Sequence, residues 1–124
     1  MISFLESIDP ELRNVIRRTG VTVNYQAGQP VFKCGDAGAA FYIIESGSAS
    51  VHDEDLVLNT LGDGDVFGEI AALSGLGRTA SVTAQNDLSC LRVESEALYD
   101  AVRERPGALK ALVKMLCERE SGMA

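Results

Sequence analysis

Between Val21 and Val93 the chain alternates short apolar and β-branched runs with turns rich in glycine and aspartate. The turns recur roughly every 8 to 12 residues, and many short strands at that spacing are typical of a β-sandwich or a jelly-roll barrel. The pattern therefore predicts a mainly β protein. The predicted strands cover residues 21–25, 30–32, 41–44, 48–52, 56–61, 81–84 and 88–93.

Helical patterns lie on both sides of these strands. Asp9 and Pro10 suit an N-cap and a first helical position, and Gly20 suits the end of that helix. After the strands, a helix is predicted from a Ser95 cap, and Pro106 separates it from a second helix. The apolar stripe predicted for this second helix consists of Leu109, Leu112, Val113 and Leu116.

Length, charge and composition restrict the class of protein. The 124 residues, 46% of them hydrophobic, suffice for one domain, and the net charge of −7 disfavours binding to nucleic acid or to an anionic membrane. No apolar run approaches the roughly 20 residues of a membrane span. We expect the scattered cysteines Cys34, Cys90 and Cys117 to be buried or half-buried thiols. The chain is expected to be cytoplasmic.

The run from Phe67 to Ala80, FGEIAALSGLGRTA, combines an acid, Glu69, with a base, Arg78. Residues 70–73 have the composition of one helical turn, whose first N–H groups would be unpaired and would favour an anion. Arg78, predicted to open the next strand, can donate to two phosphate oxygens at once. A carboxylate beside a phosphate site suits a ligand that also brings hydroxyl groups, such as a small sugar phosphate.

A salt bridge between Glu69 and Arg78 across a surface loop would use the same residues, and the residues alone leave both interpretations open. His52 is the only histidine and is expected in a solvated hairpin turn. One histidine argues against a metal site and against a histidine-based triad. We therefore expect no catalytic residues, no metal and no enzymatic activity.

The run resembles the phosphate-binding cassette of the cyclic nucleotide-binding domain. This family includes regulatory subunits of cAMP-dependent kinase, bacterial catabolite activator proteins and cyclic-nucleotide-gated channels. Its cassette reads F-G-E-[IL]-A-L and then P-R-[AST]-A, with the acid and the arginine nine positions apart, as Glu69 and Arg78 are here. The resemblance continues through Gly28, Gly35-Asp36 and Gly64-Asp65. It implies an eight-stranded jelly-roll (double-stranded β-helix) barrel with an N-terminal helix, a short cassette helix and a C-terminal helix pair.

The resemblance also implies a role for each site residue. Glu69 would accept the ribose 2′-hydroxyl, and Arg78 would pair with the cyclic phosphate. Gly77 departs from the family, which usually has proline there, and this departure loosens the loop before Arg78. Backbone groups would complete the phosphate cradle and apolar strand residues would hold the base; these positions are Gly68, Ile70, Ala71 and Thr79, and Val51 and Leu61.

The resemblance implies a regulatory module that binds a cyclic nucleotide, and we expect cAMP rather than cGMP. We expect one domain over residues 1–124, with a helical segment at 1–20, a barrel at 21–93 that contains the cassette at 67–80, and lid or interaction helices at 95–120. Those helices would signal to a partner protein or to a second copy. The alternative is a structural or oligomerisation module of the same fold that binds no nucleotide, and the presence of both cassette residues argues against it.

Overall fold

The computed structural model describes residues 3–123, and the side chains of residues 3–118. The helices are α1 (Phe4–Ser7), α2 (Pro10–Thr19), α3 (Glu69–Ser74), α4 (Ser95–Arg103) and α5 (Pro106–Met123). The strands are β1 (Val21–Tyr25), β2 (Pro30–Phe32), β3 (Ala40–Ser46), β4 (Ala49–Asp53), β5 (Leu56–Leu61), β6 (Val66–Phe67), β7 (Ser81–Ala84) and β8 (Leu88–Glu94).

Within residues 3–123 the strands form two antiparallel four-stranded sheets, with the orders β1-β8-β3-β6 and β2-β7-β4-β5. The prediction of a mainly β protein with flanking helices is therefore confirmed. Because successive side chains of a strand point to opposite faces, β3 contributes side chains to two hydrophobic cores. Phe41 and Ile43 belong to the core shared with the helices, whereas Tyr42 and Ile44 belong to the core of the sheets.

The N-terminal helix forms as predicted. The Asp9 side chain accepts a hydrogen bond from the Glu11 N–H at 2.9 Å, and Pro10 occupies the first turn of α2. Leu12 and Ile16 of this helix are fully buried. The short helix α1 was not predicted. It precedes α2 and places Phe4 in the same core.

The C-terminal helices differ from the prediction in two details. Glu94, not Ser95, is the N-cap of α4, and the Ser95 hydroxyl instead donates to the Ala39 carbonyl at 3.1 Å. In α5, Leu109 and Val113 are 44% and 54% exposed. The predicted stripe is wrong for these two residues, because α5 packs against α2 and α4 through a rotated face. That face buries Ala108, Leu112 and Met115.

The structure also corrects the interpretation of His52. The residue lies within β4, not in the turn, and its ring nitrogens contact the Glu54 carbonyl and the Thr83 hydroxyl, each at 2.8 Å. Cys90 is buried as expected, and burial raises the pKa of its thiol to about 12. Cys34 and Cys117 are exposed, contrary to expectation.

Strand β5 lies at the edge of its sheet with its apolar side chains in solvent. Leu56, Val57 and Leu58 are all more than half exposed. Val57 pairs with His52 and Asn59 pairs with Val51, so Leu58 has no opposite residue and forms a bulge. No helix among residues 3–123 is long and apolar enough to cross a membrane.

Candidate functional site

The cassette begins where β6 delivers the chain to α3. Gly68 and Gly75 flank this helix, and both adopt φ = +79° and ψ = +4°, a left-handed conformation that glycine adopts without a steric penalty. The first backbone hydrogen bond of α3 is donated by the Ala72 N–H to the Gly68 carbonyl, at 3.1 Å. The N–H groups of Ile70 and Ala71 therefore have no intrahelical acceptor.

Arg78 lies in the loop before β7 and does not open that strand, contrary to the prediction, because its backbone is paired with residues 35–37. The Arg78 N–H donates to the Asp36 carbonyl at 2.9 Å, and the Arg78 carbonyl accepts from the Gly35 N–H at 2.8 Å. Ala37 and Gly77 form an isolated bridge beside these bonds. A second loop therefore anchors the arginine backbone on both sides.

The Arg78 side chain is 5% exposed although it carries a charge. Its Nη1 donates to the Gly68 carbonyl at 2.8 Å, and its Nη2 donates to the Ala40 carbonyl. Its Nε–H is buried and has no partner among the described residues. Burial lowers the pKa of Arg78 from its ordinary value, but a guanidinium remains protonated in proteins. The site thus contains a buried cation, and its Nε–H remains available to donate a hydrogen bond to a ligand.

Glu69, the other charged residue of the cassette, is also 5% exposed. Among the described side chains, none of the ion pairs joins Glu69 to Arg78. The salt-bridge interpretation of the sequence is therefore not supported. Both charges instead line one small cavity.

This cavity has a volume of about 150 Å³. Seven of the eight predicted site residues line it, and only Leu61 does not; it packs with Val51 and Phe32 against the core of the sheets. The lining consists of Phe32, Val51, Phe67, Gly68, Glu69, Ile70, Ala71, Arg78, Thr79, Ala80 and Val82.

Four lining residues were not predicted as ligand contacts: Phe67 and Ala80, which are the ends of the predicted cassette, and Phe32 and Val82, which lie outside it. Val82 pairs directly with Val51 across β4 and β7, so the two side chains share one face of the sheet. The strand register would have identified Val82 once Val51 was chosen, but the local sequence gives no register between strands so far apart. No local signal identifies Phe32, which β2 brings to the site.

The loop before Arg78 leads to a stability prediction at Gly77. A Cβ there would meet only the Asp36 and Gly35 carbonyls, at 3.6 and 3.8 Å, and the φ of Gly77 is not positive. Gly77→Pro should therefore stabilise the fold by about 0.4–1 kcal/mol, because it restricts the unfolded chain. Urea denaturation measures the change. Gly75→Pro is the control and should destabilise, since Gly75 has φ = +79° and donates its N–H to Ala71. A Gly77→Pro protein less stable than wild type would contradict the prediction.

Comparison with known proteins gives a match to one family. A model of the cyclic nucleotide-binding domain family matches residues 22–105. The chain is 37% identical over 97 residues to a cGMP-dependent protein kinase of Toxoplasma gondii. It is 35% identical over 101 residues to a cAMP-dependent protein kinase regulatory subunit of Blastocladiella emersonii. These alignments cover 78% and 77% of this chain but only 10% and 25% of the two relatives.

Among solved structures, the fold is similar to that of the N-terminal domain of a transcriptional regulator from Streptomyces coelicolor A3(2). The TM-score is 0.82 at 24% identity, and the match covers 94% of this chain and 87% of that chain. This similarity concerns the fold, whereas the family match covers the cassette and most of both sheets. The chain therefore belongs to the cyclic nucleotide-binding domain family.

Proposed function

We propose that this chain is a regulatory module that binds cAMP at Arg78 and Glu69 and signals through its C-terminal helices. The observation that carries the proposal is the buried Arg78 guanidinium, which forms no ion pair with a described carboxylate and keeps an unpartnered Nε–H. Burying a cation is costly, and burial lowers the pKa of Arg78 although Tyr42, Asp36 and Glu69 lie near enough to oppose the shift. An anionic ligand that enters the adjacent cavity offsets that cost.

The phosphate end of the ligand is proposed to lie between Arg78 and the start of α3. Gly68, Ile70 and Ala71 line the cavity, and the N–H groups of Ile70 and Ala71 lack intrahelical acceptors. Thr79 lines the cavity beside Arg78 and adds a hydroxyl. A singly charged cyclic phosphate suits this site better than the more highly charged phosphates of 5′-AMP or ATP, because Glu69 is nearby and repels additional negative charge.

The base is proposed to lie against the apolar wall that Val51 and Val82 form. Leu61 remains a proposed base contact although it does not line the cavity, because it packs beside Val51. The cavity is smaller than the roughly 300–1,000 Å³ of most small-molecule sites. A whole nucleotide therefore requires the cavity to widen or the base to remain at its mouth. If the cavity widens, binding is coupled to movement of the cassette.

A thermal-shift panel of cAMP, cGMP, 5′-AMP and ATP tests the proposed function. A ligand that binds only the folded state raises the melting temperature. We expect a rise with cAMP at lower concentration than with cGMP, and little change with the other two nucleotides. No rise with either cyclic nucleotide would favour the structural module, and a stronger response to cGMP would reverse the base preference.

We expect Glu69 to recognise the ribose of the ligand through its 2′-hydroxyl group. If its carboxylate accepts the 2′-hydroxyl, wild type should bind 2′-deoxy-cAMP about 10-fold or more weakly than cAMP, because a hydrogen bond to a charged group is lost. Glu69→Gln should discriminate less between the two ligands, and calorimetry on all four combinations gives the coupling. The same discrimination in both proteins would refute this role.

We propose that the two sheets close into a single jelly-roll barrel, that residues 1–124 act as one domain, and that the C-terminal helices carry the output. Two hydrogen bonds support this route: the Tyr99 hydroxyl of α4 donates to the Leu73 carbonyl of α3, and the Ser95 N–H donates to the Ala39 carbonyl at 2.9 Å. The next carbonyl, that of Ala40, accepts from Arg78. α4 thus contacts the cassette helix α3 directly and is linked to Arg78 indirectly, through residues 39 and 40.

The partner is proposed to be another protein or a second copy of this chain. Leu109 and Val113 lie four residues apart on α5 and form an exposed apolar pair there. A helix face of this kind suits packing against another helix.

Hydrogen exchange tests the signalling route. α5 also contacts α3, so cAMP should change the protection of residues 106–118 as well as that of the cassette. The amides of β1, Val21–Tyr25, pair with β8 away from the cassette and serve as the internal control. Unchanged protection of residues 106–118, with a protected cassette, would exclude α5 as the output helix.

A further inference from the structure

The Phe32 ring lies against the guanidinium group of Arg78. The Arg78 Cζ is 4.0 Å from the ring centroid, which is a cation–π contact. Other aromatic rings hold Phe32 in turn: its centroid lies 5.9 Å from that of Phe67 and 6.0 Å from that of Tyr42. Tyr42 and Phe67 stack on each other at 5.1 Å, with 11° between their planes. The ring beside the arginine is therefore fixed in a packed cluster.

Two glycines, Gly38 and Gly68, lie against the guanidinium group where a larger residue would place a Cβ. A Cβ at Gly38 would lie 3.2 Å from the Arg78 Cζ, and a Cβ at Gly68 would lie 2.6 Å from its Nη1. A methyl group at Gly68 would require Arg78 to move, and one at Gly38 would press on both Arg78 and Ala71, whose Cβ would lie 3.1 Å away. We name the space bounded by Phe32, Gly38 and Gly68 the guanidinium slot.

The slot and two carbonyls together determine which donor remains for a ligand. Nη1 is engaged by Gly68 and Nη2 by Ala40, while Nε has no partner among the described residues. A long side chain that is already fixed loses little conformational freedom when the ligand arrives. Fixing Arg78 before binding therefore raises affinity without adding a contact to the ligand.

We propose that Phe32 is a positioning residue, which holds Arg78 in the guanidinium slot so that its free donor meets the ligand phosphate. This inference rests on the proposed function. A flat aromatic ring suits the role better than an aliphatic side chain, because it packs on the guanidinium plane and attracts its charge. Phe32 itself need not touch the phosphate.

The test is a double-mutant cycle of Phe32→Leu and Arg78→Ala, measured both by calorimetry with cAMP and by urea unfolding. Phe32→Leu should weaken cAMP binding about 5- to 30-fold in the wild-type background. It should have little further effect on affinity in the Arg78→Ala background, because no guanidinium remains to be positioned. Phe32→Tyr, which keeps the ring, should bind within about twofold of wild type.

Gly38→Ala approaches the guanidinium slot from another side and keeps the inference testable if Phe32→Leu does not fold. It should weaken cAMP binding, whereas the control Gly62→Ala should not, since a Cβ at Gly62 meets no atom within 4 Å. The inference is overturned if Phe32→Leu binds cAMP as wild type does, or weakens binding equally in both backgrounds. It is also overturned if Gly38→Ala binds like Gly62→Ala.

If the proposed function is wrong, the experiments give a result different from the one that overturns the role of Phe32. If wild type binds neither cAMP nor cGMP, the proposed function is wrong and Phe32 positions Arg78 for no such ligand. The unfolding cycle then still measures the contact itself. Additive effects on the unfolding free energy would show that Phe32 does not hold Arg78 at all.

Discussion

Replacing Arg78 with alanine is expected to weaken cyclic nucleotide binding by about 10- to 150-fold. The estimate follows from the roughly 1.5–3 kcal/mol of a hydrogen bond to a charged group. The unpartnered Nε–H is the donor that the ligand would gain. Calorimetry with cAMP measures the change, and an affinity equal to that of wild type would exclude Arg78 as the phosphate ligand.

The same substitution should also destabilise the free protein. It removes one donor from each of the Gly68 and Ala40 carbonyls, and a hydrogen bond to a charged group is worth about 1.5–3 kcal/mol. The Gly68 carbonyl keeps the Ala72 N–H as a donor. Arg103→Ala is the matched control. Arg103 pairs with Asp100 at the surface, where both side chains are more than two-thirds exposed, so its loss should leave affinity and stability nearly unchanged.

Alanine at Gly68 should be much more damaging than alanine at Gly75. The two glycines share the same backbone angles, so each substitution carries a similar left-handed penalty of about 1–2 kcal/mol. Only at Gly68 would the new methyl also meet Arg78, with its Cβ 2.6 Å from Nη1; at Gly75 nothing lies within 4 Å. Overpacking adds about 1–3 kcal/mol.

We therefore expect both variants to be less stable than wild type, but only Gly68→Ala to lose affinity, by about 10-fold or more. Urea denaturation and calorimetry on the same samples separate the two effects. Equal affinities in the two variants would show that the contact between Gly68 and Arg78 is irrelevant to binding. A loss of affinity in both would indicate that the geometry of α3 alone is decisive.

The sequence predicted the elements whose signals are local. Strands β1, β2, β5 and β7 begin and end where the turn residues placed them. β6 was not among the seven predicted strands because two residues are too few to show alternation, although Val66 and Phe67 were expected to close an apolar strand before the cassette. The buried face of α5 was misassigned because the helix carries apolar residues around most of its surface, and contact with α2 selects Ala108 and Met115 over Leu109 and Val113.

The site residues also divide into those with a local sequence signal and those that the fold brings together. The cassette residues lie close together in sequence, so the resemblance to the family's cassette predicted Gly68, Glu69 and Arg78 together. Phe32 reaches the cavity through the pairing of β2 with β7, and the Arg78 backbone is fixed by residues 35–37. These long-range pairings depend on the whole fold. No short pattern of residues specifies them.

The bulge in β5 has a consequence for how copies of this protein behave at high concentration. An exposed apolar edge strand invites another strand to pair with it, and repetition of that pairing leads to polymers. Here the bulge at Leu58 interrupts the regular spacing of the backbone groups, and the Asn59 side chain accepts the Thr60 N–H at 2.8 Å. A second strand therefore meets an interrupted row of donors and acceptors. The edge can expose Leu56, Val57 and Leu58 without acting as a template for fibre growth.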